Sequence, residues 1–354
     1  MSVETPPQLP HLSSVQALRG LAALGVLLSH LHVIELKYSP DALLGAWSRA
    51  GMAGVDLFFV ISGFLMVYVT WGRDTKPGAF LWRRVTRIYP LYWVVSAAVL
   101  VVWLVRPDMV FASNPDPDIL RSFLLFPQNG GPLLTVGWTL VYEMYFYLVF
   151  ALVLMLPRGL MGAALVMWCV GVVALSRLAR DPEGALLRLV LDPLMLEFAA
   201  GAGLGLAAAM ASRALLGLVC AALGAVFAGY LILVQPELVD LLDDRMARAA
   251  VIGSAAAGLF AVCVVMAKLT PGRMAVWLGD ISYSLYLTHV LTLSLVGRLA
   301  APLMREGWTD NAVLLIVLVG ASVGVAQLTY VGVERPLIAF FRRRRAARPA
   351  SAAR

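Results

Sequence analysis

About ten apolar runs, each near twenty residues long, follow one another along this 354-residue chain. A helix needs about 20 predominantly apolar residues to cross the hydrocarbon core of a bilayer. A helix also satisfies its own backbone hydrogen bonds where no water can do so. The runs lie at about 13–34, 52–71, 88–105, 136–156, 160–176, 191–211, 214–234, 249–267, 275–297 and 312–333. They predict an all-α, polytopic transmembrane helical bundle of about ten spans. Composition excludes the soluble classes: 14% of residues are charged and 61% hydrophobic, whereas a soluble domain carries about 25% charged residues.

An even number of spans puts both termini on one side of the membrane. Basic residues choose the side. With the N-terminus, the 72–87 loop and the C-terminal tail on one face, that face holds 17 of the 28 Lys and Arg. The positive-inside bias then makes both termini cytoplasmic. It also accounts for the net charge of +7 without nucleic acid. The chain divides into a flexible tail at 1–11, a transmembrane domain at 12–337 and a basic cytoplasmic tail at 338–354, whose Arg342–Arg345 run reads as a topology anchor. No cleavable leader is expected, because Gln16 and Arg19 interrupt the first apolar run. Cys169, Cys220 and Cys263 each sit in an apolar run. An odd number at membrane depth argues against a disulfide framework, and no Cys or His has metal-ligand spacing. The cysteines read as small packing residues.

The first span holds the most informative pair. Arg19 and His30 lie eleven residues apart within LSSVQALRGLAALGVLLSHLHVI. At about 100° per residue they share one helix face, roughly 16 Å apart along the axis. Charged and polar groups inside a span face the protein interior or water. Arg19 is placed near the cytoplasmic end and His30 past the middle. The same topology puts Asp56 in the outer third of span 2 and Glu143 in the outer half of span 4. The three are expected at one depth, where carboxylates would orient an imidazole acting as a general base. Structural hydrogen bonds between helices are the alternative for each of them. Arg84 and Arg87, spaced i, i+3 before span 3, would present two guanidinium forks to a phosphate, or else anchor topology. Glu334 is placed to pair with one of them, and Pro336 to stop or kink span 10. Ser62, Trp138, Tyr283 and His289 are further candidates for lining a substrate path. For Gly54 and Gly63 close helix packing is the reading.

These residues fall in an ordered set: Arg19-x10-His30, GVDLFFVISGF at 54–64, Arg84-x-x-Arg87 followed by IYP, GWTLVYE at 137–143, SYSLYLTH at 282–289 and Glu334-Arg335-Pro336. In that order, along nearly the full length, the chain resembles the integral-membrane acyltransferases of acyltransferase family 3. Its version of span 4, with no appended hydrolase-like domain, is similar to the bacterial exopolysaccharide O-acetyltransferase branch. The resemblance implies transfer of an acyl group, with acetyl expected, from cytoplasmic acyl-CoA to a carbohydrate hydroxyl. His30 would be the essential histidine and Arg19 its paired arginine. Arg84 and Arg87 would meet the CoA phosphates, while Glu143 and Asp56 fall in family motifs without a settled role. The expected partners are the lipid bilayer, acyl-CoA, a carbohydrate or glycolipid acceptor and a polysaccharide-synthesis assembly, at a bacterial inner membrane. No metal and no nucleic acid is expected. A transporter or flippase for a saccharide or lipid-linked precursor is the rival, since it too needs buried ionisable groups. A structural subunit of a synthesis complex is a third reading.

Overall fold

The structure is a computed structural model that describes residues 12–107, 110, 116–179, 182–234, 240–266 and 271–346. The expected tail at 1–11 and residues 347–354 lie outside the described residues. All regular structure among the described residues is helical. Nine helical stretches are long and apolar enough to cross a membrane, and a tenth, Gly137–Val153, is apolar but shorter. The spans are α1 (Leu12–Tyr38), α2 (Ala53–Thr70), α3 (Pro77–Val105), α4 (Gly137–Val153), α5 (Met161–Leu178), α6 (Met195–Ala209), α7 (Arg213–Val234), α8 (Arg245–Val264), α9 (Ser282–Ala300) and α10 (Trp308–Thr329). A last helix, α11 (Arg335–Ala346), carries the basic run. The protein is a multi-pass membrane bundle.

Three local features differ from the expected spans. First, α3 begins at Pro77 rather than near 88, because proline suits the first turn of a helix, where its missing N–H has no partner to lose. Arg83, Arg84 and Arg87 are therefore helical. Second, the span at 275–297 is broken, with a short helix Arg273–Asp280 turning at Ile281 into α9. Third, Pro336 does not stop the helix. The wide π turn Tyr330–Glu334 joins α10 to α11 without a break, and Pro336 falls in the first turn of α11.

Glycines bring the inner helices together. An added Cβ on Gly63 of α2 would lie 1.9 Å from the Phe198 carbonyl oxygen of α6, and one on Gly201 would lie 2.0 Å from the Val60 carbonyl oxygen. Both positions must stay bare for α2 and α6 to cross at this distance, the small-residue packing used between membrane helices. Phe59, Phe146 and Phe198 stack beside this crossing, with Phe198 ring centroids 4.4 Å from Phe59 and 4.5 Å from Phe146. At the periphery the pattern reverses. None of the described α7 residues is buried; Leu216, Val219 and Leu223 pack against the core, while Leu218, Val226, Ile232 and Leu233 face outward. A lipid environment covers such a face at no cost, since lipid tails are as apolar as the side chains.

Candidate active site

Arg84 and Arg87 lie one turn apart on α3 and face the bundle interior with Arg19 of α1. A cavity of about 120 Å³ is lined by all three, together with Ser62 of α2, Glu143 and Tyr147 of α4 and Tyr283 of α9. Each guanidinium has its own environment. Arg19 Nη1 donates to Gln16 Oε1 (3.0 Å), and Gln16 Nε2 donates to Asp280 (2.8 Å). Arg87 Nη1 donates to Glu334 Oε1 (2.8 Å), the pairing expected from the sequence; Ser284 Oγ donates to the other carboxylate oxygen (2.6 Å). Arg87 also lies over the Tyr283 ring (5.6 Å). Arg84 lies over the rings of Phe80 and Tyr147, at 5.6 and 5.7 Å, and its buried Nε has no hydrogen-bond partner among the described residues. A buried N–H without an acceptor is costly. Arg84 is thus the arginine of this trio best placed to receive an anion.

Glu143 sits in the same cavity. Ser62 Oγ donates to its carboxylate (2.7 Å), and the Tyr147 hydroxyl donates to the same oxygen. Glu143 therefore belongs with the arginines and not with His30. The expectation that His30, Asp56 and Glu143 converge is corrected by this arrangement, because α4 enters the bundle so that its Glu143 turn meets the middle of α2. Asp56 is elsewhere again. It is fully buried and accepts from Arg248 Nε (2.9 Å) and Nη2 (2.7 Å), while Arg248 also donates to the Met52 carbonyl (3.2 Å). This is a two-point guanidinium–carboxylate pair tying α2 to the first turn of α8. The π turn Ala249–Gly253 follows Arg248 directly. Sequence reasoning left Arg248 outside its span; the signal that could have found it is an acidic residue in span 2 needing a basic partner at its own depth. Glu197 of α6 is also buried, and neither of its carboxylate oxygens has a hydrogen-bond partner among the described residues.

His30 meets His289, a contact the sequence reading did not foresee. The two rings are 4.9 Å apart at 74°. His30 Nδ1 lies 2.9 Å from the Val26 carbonyl oxygen, and His289 Nδ1 lies 3.0 Å from that of Leu285. A carbonyl oxygen only accepts, so each Nδ1 carries the hydrogen. In the neutral ring the other nitrogen then holds a lone pair. His289 Nε2 directs that lone pair at His30 Nδ1 across 3.4 Å. The consequence is one tautomer for His30, with Nε2 unprotonated and basic. Tyr286 lies between this pair and the cavity. It lines the cavity wall, its ring is 5.9 Å from that of His289, and its hydroxyl lies 2.7 Å from Thr139 Oγ1.

Of the residues expected to line a substrate path, Ser62 and Tyr283 are in the cavity wall and His289 backs His30. Trp138 is not in that wall; it packs edge-on to Tyr142 (5.4 Å) beneath the Arg245 guanidinium (5.3 Å). The cysteines are free and half-buried. Among the described residues no group of three or more His, Cys, Asp or Glu is placed to hold a metal ion.

Comparison with known proteins bears on this arrangement. The exopolysaccharide production protein ExoZ of Rhizobium meliloti (strain 1021) is 32% identical over 313 residues, covering 83% of this chain and 92% of that protein. The acyltransferase MdmB of Streptomyces mycarofaciens is 31% identical over 180 residues, 48% of this chain and 46% of MdmB. The peptidoglycan O-acetyltransferase OatA of Listeria monocytogenes is 27% identical over 158 residues, 39% of this chain and 23% of OatA. No solved structure matches the chain. Residues 12–331 match the acyltransferase domain family, Acyl_transf_3, so Arg19, His30, the arginine cavity and nearly the whole bundle fall within one family match, and the chain is a member of that membrane acyltransferase family.

Proposed function

We propose that this enzyme is an O-acetyltransferase of a bacterial inner membrane, moving an acetyl group from cytoplasmic acetyl-CoA to a hydroxyl of an exopolysaccharide or other cell-surface carbohydrate. The observation that carries the reading is the cavity in which Arg19, Arg84 and Arg87 converge. Guanidinium forks suit phosphate oxygens. A donor held there by its phosphates directs its pantetheine arm along the face of α1 that ends at His30, roughly 16 Å from Arg19 by helix rise. Glu143, held by Ser62 and Tyr147, faces this path as an acceptor for the polar groups of the arm. The names of ExoZ and OatA support a polysaccharide acceptor.

In this mechanism His30 Nε2 takes the proton of the acceptor hydroxyl as its oxygen attacks the thioester carbonyl carbon. The C–S bond then breaks, and the imidazolium returns the proton to the departing thiolate. Alternatively Nε2 attacks the thioester carbonyl carbon and expels CoA as the thiolate; the acceptor oxygen then attacks the acyl carbon, the C–N bond breaks to release the imidazole, and the hydroxyl proton passes to the thiolate. Both routes use the same lone pair, and the Val26 carbonyl together with His289 Nε2, both facing Nδ1, keeps it on Nε2. Asp56 supports the site through Arg248 rather than through the imidazole.

The test is mass spectrometry of surface glycans from cells with wild-type protein or His30→Ala. The wild type adds the mass of one acetyl group. The variant adds none while its membrane level stays normal; acetylation at the wild-type rate would remove His30 from the reaction. Substrate movement across vesicles with no change in acetylation would favour the rival transporter.

A further inference from the structure

The cavity that holds the arginines does not reach the histidines. Its lining runs from Arg19, Arg84 and Arg87 to Phe58, Thr139 and Tyr286, and neither His30 nor His289 is in it. For transfer, the thioester carbonyl carbon has to come within about 3–3.5 Å of His30 Nε2. The side chain on that route is Tyr286. Its ring lines the cavity, and the centroid of the ring lies 5.9 Å from that of His289. Phe58 packs edge-on to it, also at 5.9 Å, and lines the same wall. Two contacts hold the Tyr286 hydroxyl: it donates to the Val136 carbonyl oxygen (3.0 Å) and pairs with Thr139 Oγ1 (2.7 Å). Both partners sit at the start of α4, on a well-tied support. The short helix Ile119–Leu124 that precedes it is bound to α3, where Tyr89, Tyr92 and Trp93 donate to the carbonyls of Leu124, Ser122 and Phe123 at 2.7, 2.6 and 2.9 Å. Ser122 Oγ in turn accepts from the Leu133 amide (3.0 Å), just ahead of Val136. With its partners tied down, the movable part of the contact is the tyrosine side chain. A helical tyrosine has two common χ1 wells, so leaving the latch takes one rotation and no helix displacement.

We propose that Tyr286 is the gate between the donor cavity and His30. Latched to Val136 and Thr139, its ring keeps the thioester and the imidazole apart; released, it admits the thioester to Nε2. The inference rests on the acyl-CoA reading and deepens it. The chemistry calls for such a partition, since a reactive group next to a basic imidazole is hydrolysed where water has access. His30 is half-buried, so water competes there with the acceptor hydroxyl. In that side reaction the water oxygen attacks the thioester carbonyl carbon as its proton passes to Nε2. The C–S bond breaks, and the imidazolium returns the proton to the departing thiolate, leaving acetic acid and CoA. Tyr286 thus determines how much donor is lost to water, a specificity role that needs no contact between the tyrosine and the acceptor.

The experiment gives the purified full-length protein, in lipid nanodiscs, acetyl-CoA and no carbohydrate. Release of CoA is followed by chromatography, and binding of acetyl-CoA is measured by calorimetry on the same samples. Tyr286→Phe keeps the ring against Phe58 and His289 but loses both hydroxyl contacts. It should raise the rate of acetyl-CoA hydrolysis about tenfold, the scale set by the lost hydrogen bonds. Tyr286→Ala, which removes the partition itself, should raise it further. Adding His30→Ala to either variant should return hydrolysis to the rate of His30→Ala alone. A wild-type rate in either Tyr286 variant, with acetyl-CoA still bound, overturns the proposal. So does a raised rate that survives His30→Ala, because that hydrolysis does not pass through the imidazole. Should Tyr286→Ala fail to fold, Tyr286→Phe decides alone. Absence of saturable acetyl-CoA binding by the wild type overturns the acyl-CoA reading itself, and this inference with it.

Discussion

At the scale of single residues, the histidine contact has the clearest consequence. If His289 holds the His30 tautomer, its loss should act on turnover and not on donor binding. His289→Ala is expected to lower kcat by about 10²–10⁴-fold, the range credited to a positioned acid–base group, with Kd for CoA unchanged. His289→Asn places an amide where the ring acceptor was and should restore part of the rate. Equal loss of rate in both variants would show that His289 serves packing alone. The Asp56–Arg248 pair makes a different prediction. Removing one member leaves a buried charge unpartnered, which costs about 3–5 kcal/mol. Arg248→Met alone should therefore lower thermal stability in detergent more than the double change Arg248→Met with Asp56→Asn. A double variant no more stable than the single would show that the pair is not coupled. Arg19, His30, Arg84 and Arg87 were legible as polar groups in or beside apolar runs, because burying such groups is expensive enough to stand out in a sequence. Their partners were not legible. Arg248 lies in the first turn of α8, 192 positions from Asp56, and His289 lies 259 from His30; no local spacing rule joins residues that far apart.

At the scale of elements, close crossing governs. The α2–α6 contact places carbonyl oxygens about 2 Å from where a Cβ would be at Gly63 and Gly201. Gly63→Ala should force the helices apart and lower the midpoint of thermal unfolding or the yield of folded protein. Gly171→Ala on α5, where nothing lies within 4 Å of the added carbon, should be tolerated or slightly stabilising, as expected for glycine replaced at an uncrowded helical site. Similar losses at both positions would contradict the packing role of Gly63. The reading of Gly63 as a close-packing residue came from its place in a bulky span. Which helix it meets did not. The shorter α4, the break at Ile281 and the π turns were equally hidden, since a π turn is selected by the contacts on either side of it and has no composition of its own.

At the scale of the whole molecule, the basic end and the opposite end differ in what they can bind. Arg83, Arg84, Arg87, Arg335 and Arg342 gather at one end. At the other, Glu35 is buried and accepts from the Leu43 and Leu44 amides and from Asn311, closing the loop that follows α1. A cytoplasmic donor requires the basic end to face the cytoplasm. In a variant with Cys169, Cys220 and Cys263 replaced by alanine, Arg343→Cys should react with a membrane-impermeant maleimide only after cells are opened, and Glu306→Cys should react in intact cells. The reverse pattern would invert the topology and place the arginine cavity on the wrong side for CoA.

The sequence by itself determined the class of molecule, the places of its long apolar helices and the residues too polar to be there without purpose. The physical reason is the bilayer: it sets one length and one polarity for every span, so span and exception are both local properties. Only the tertiary structure decided the groupings. Glu143 joined the arginines, Asp56 joined Arg248, and His30 met His289, because helix crossing and rotation bring side chains together across hundreds of residues. Those crossings follow from glycine contacts and helix breaks that exist only once the helices have met.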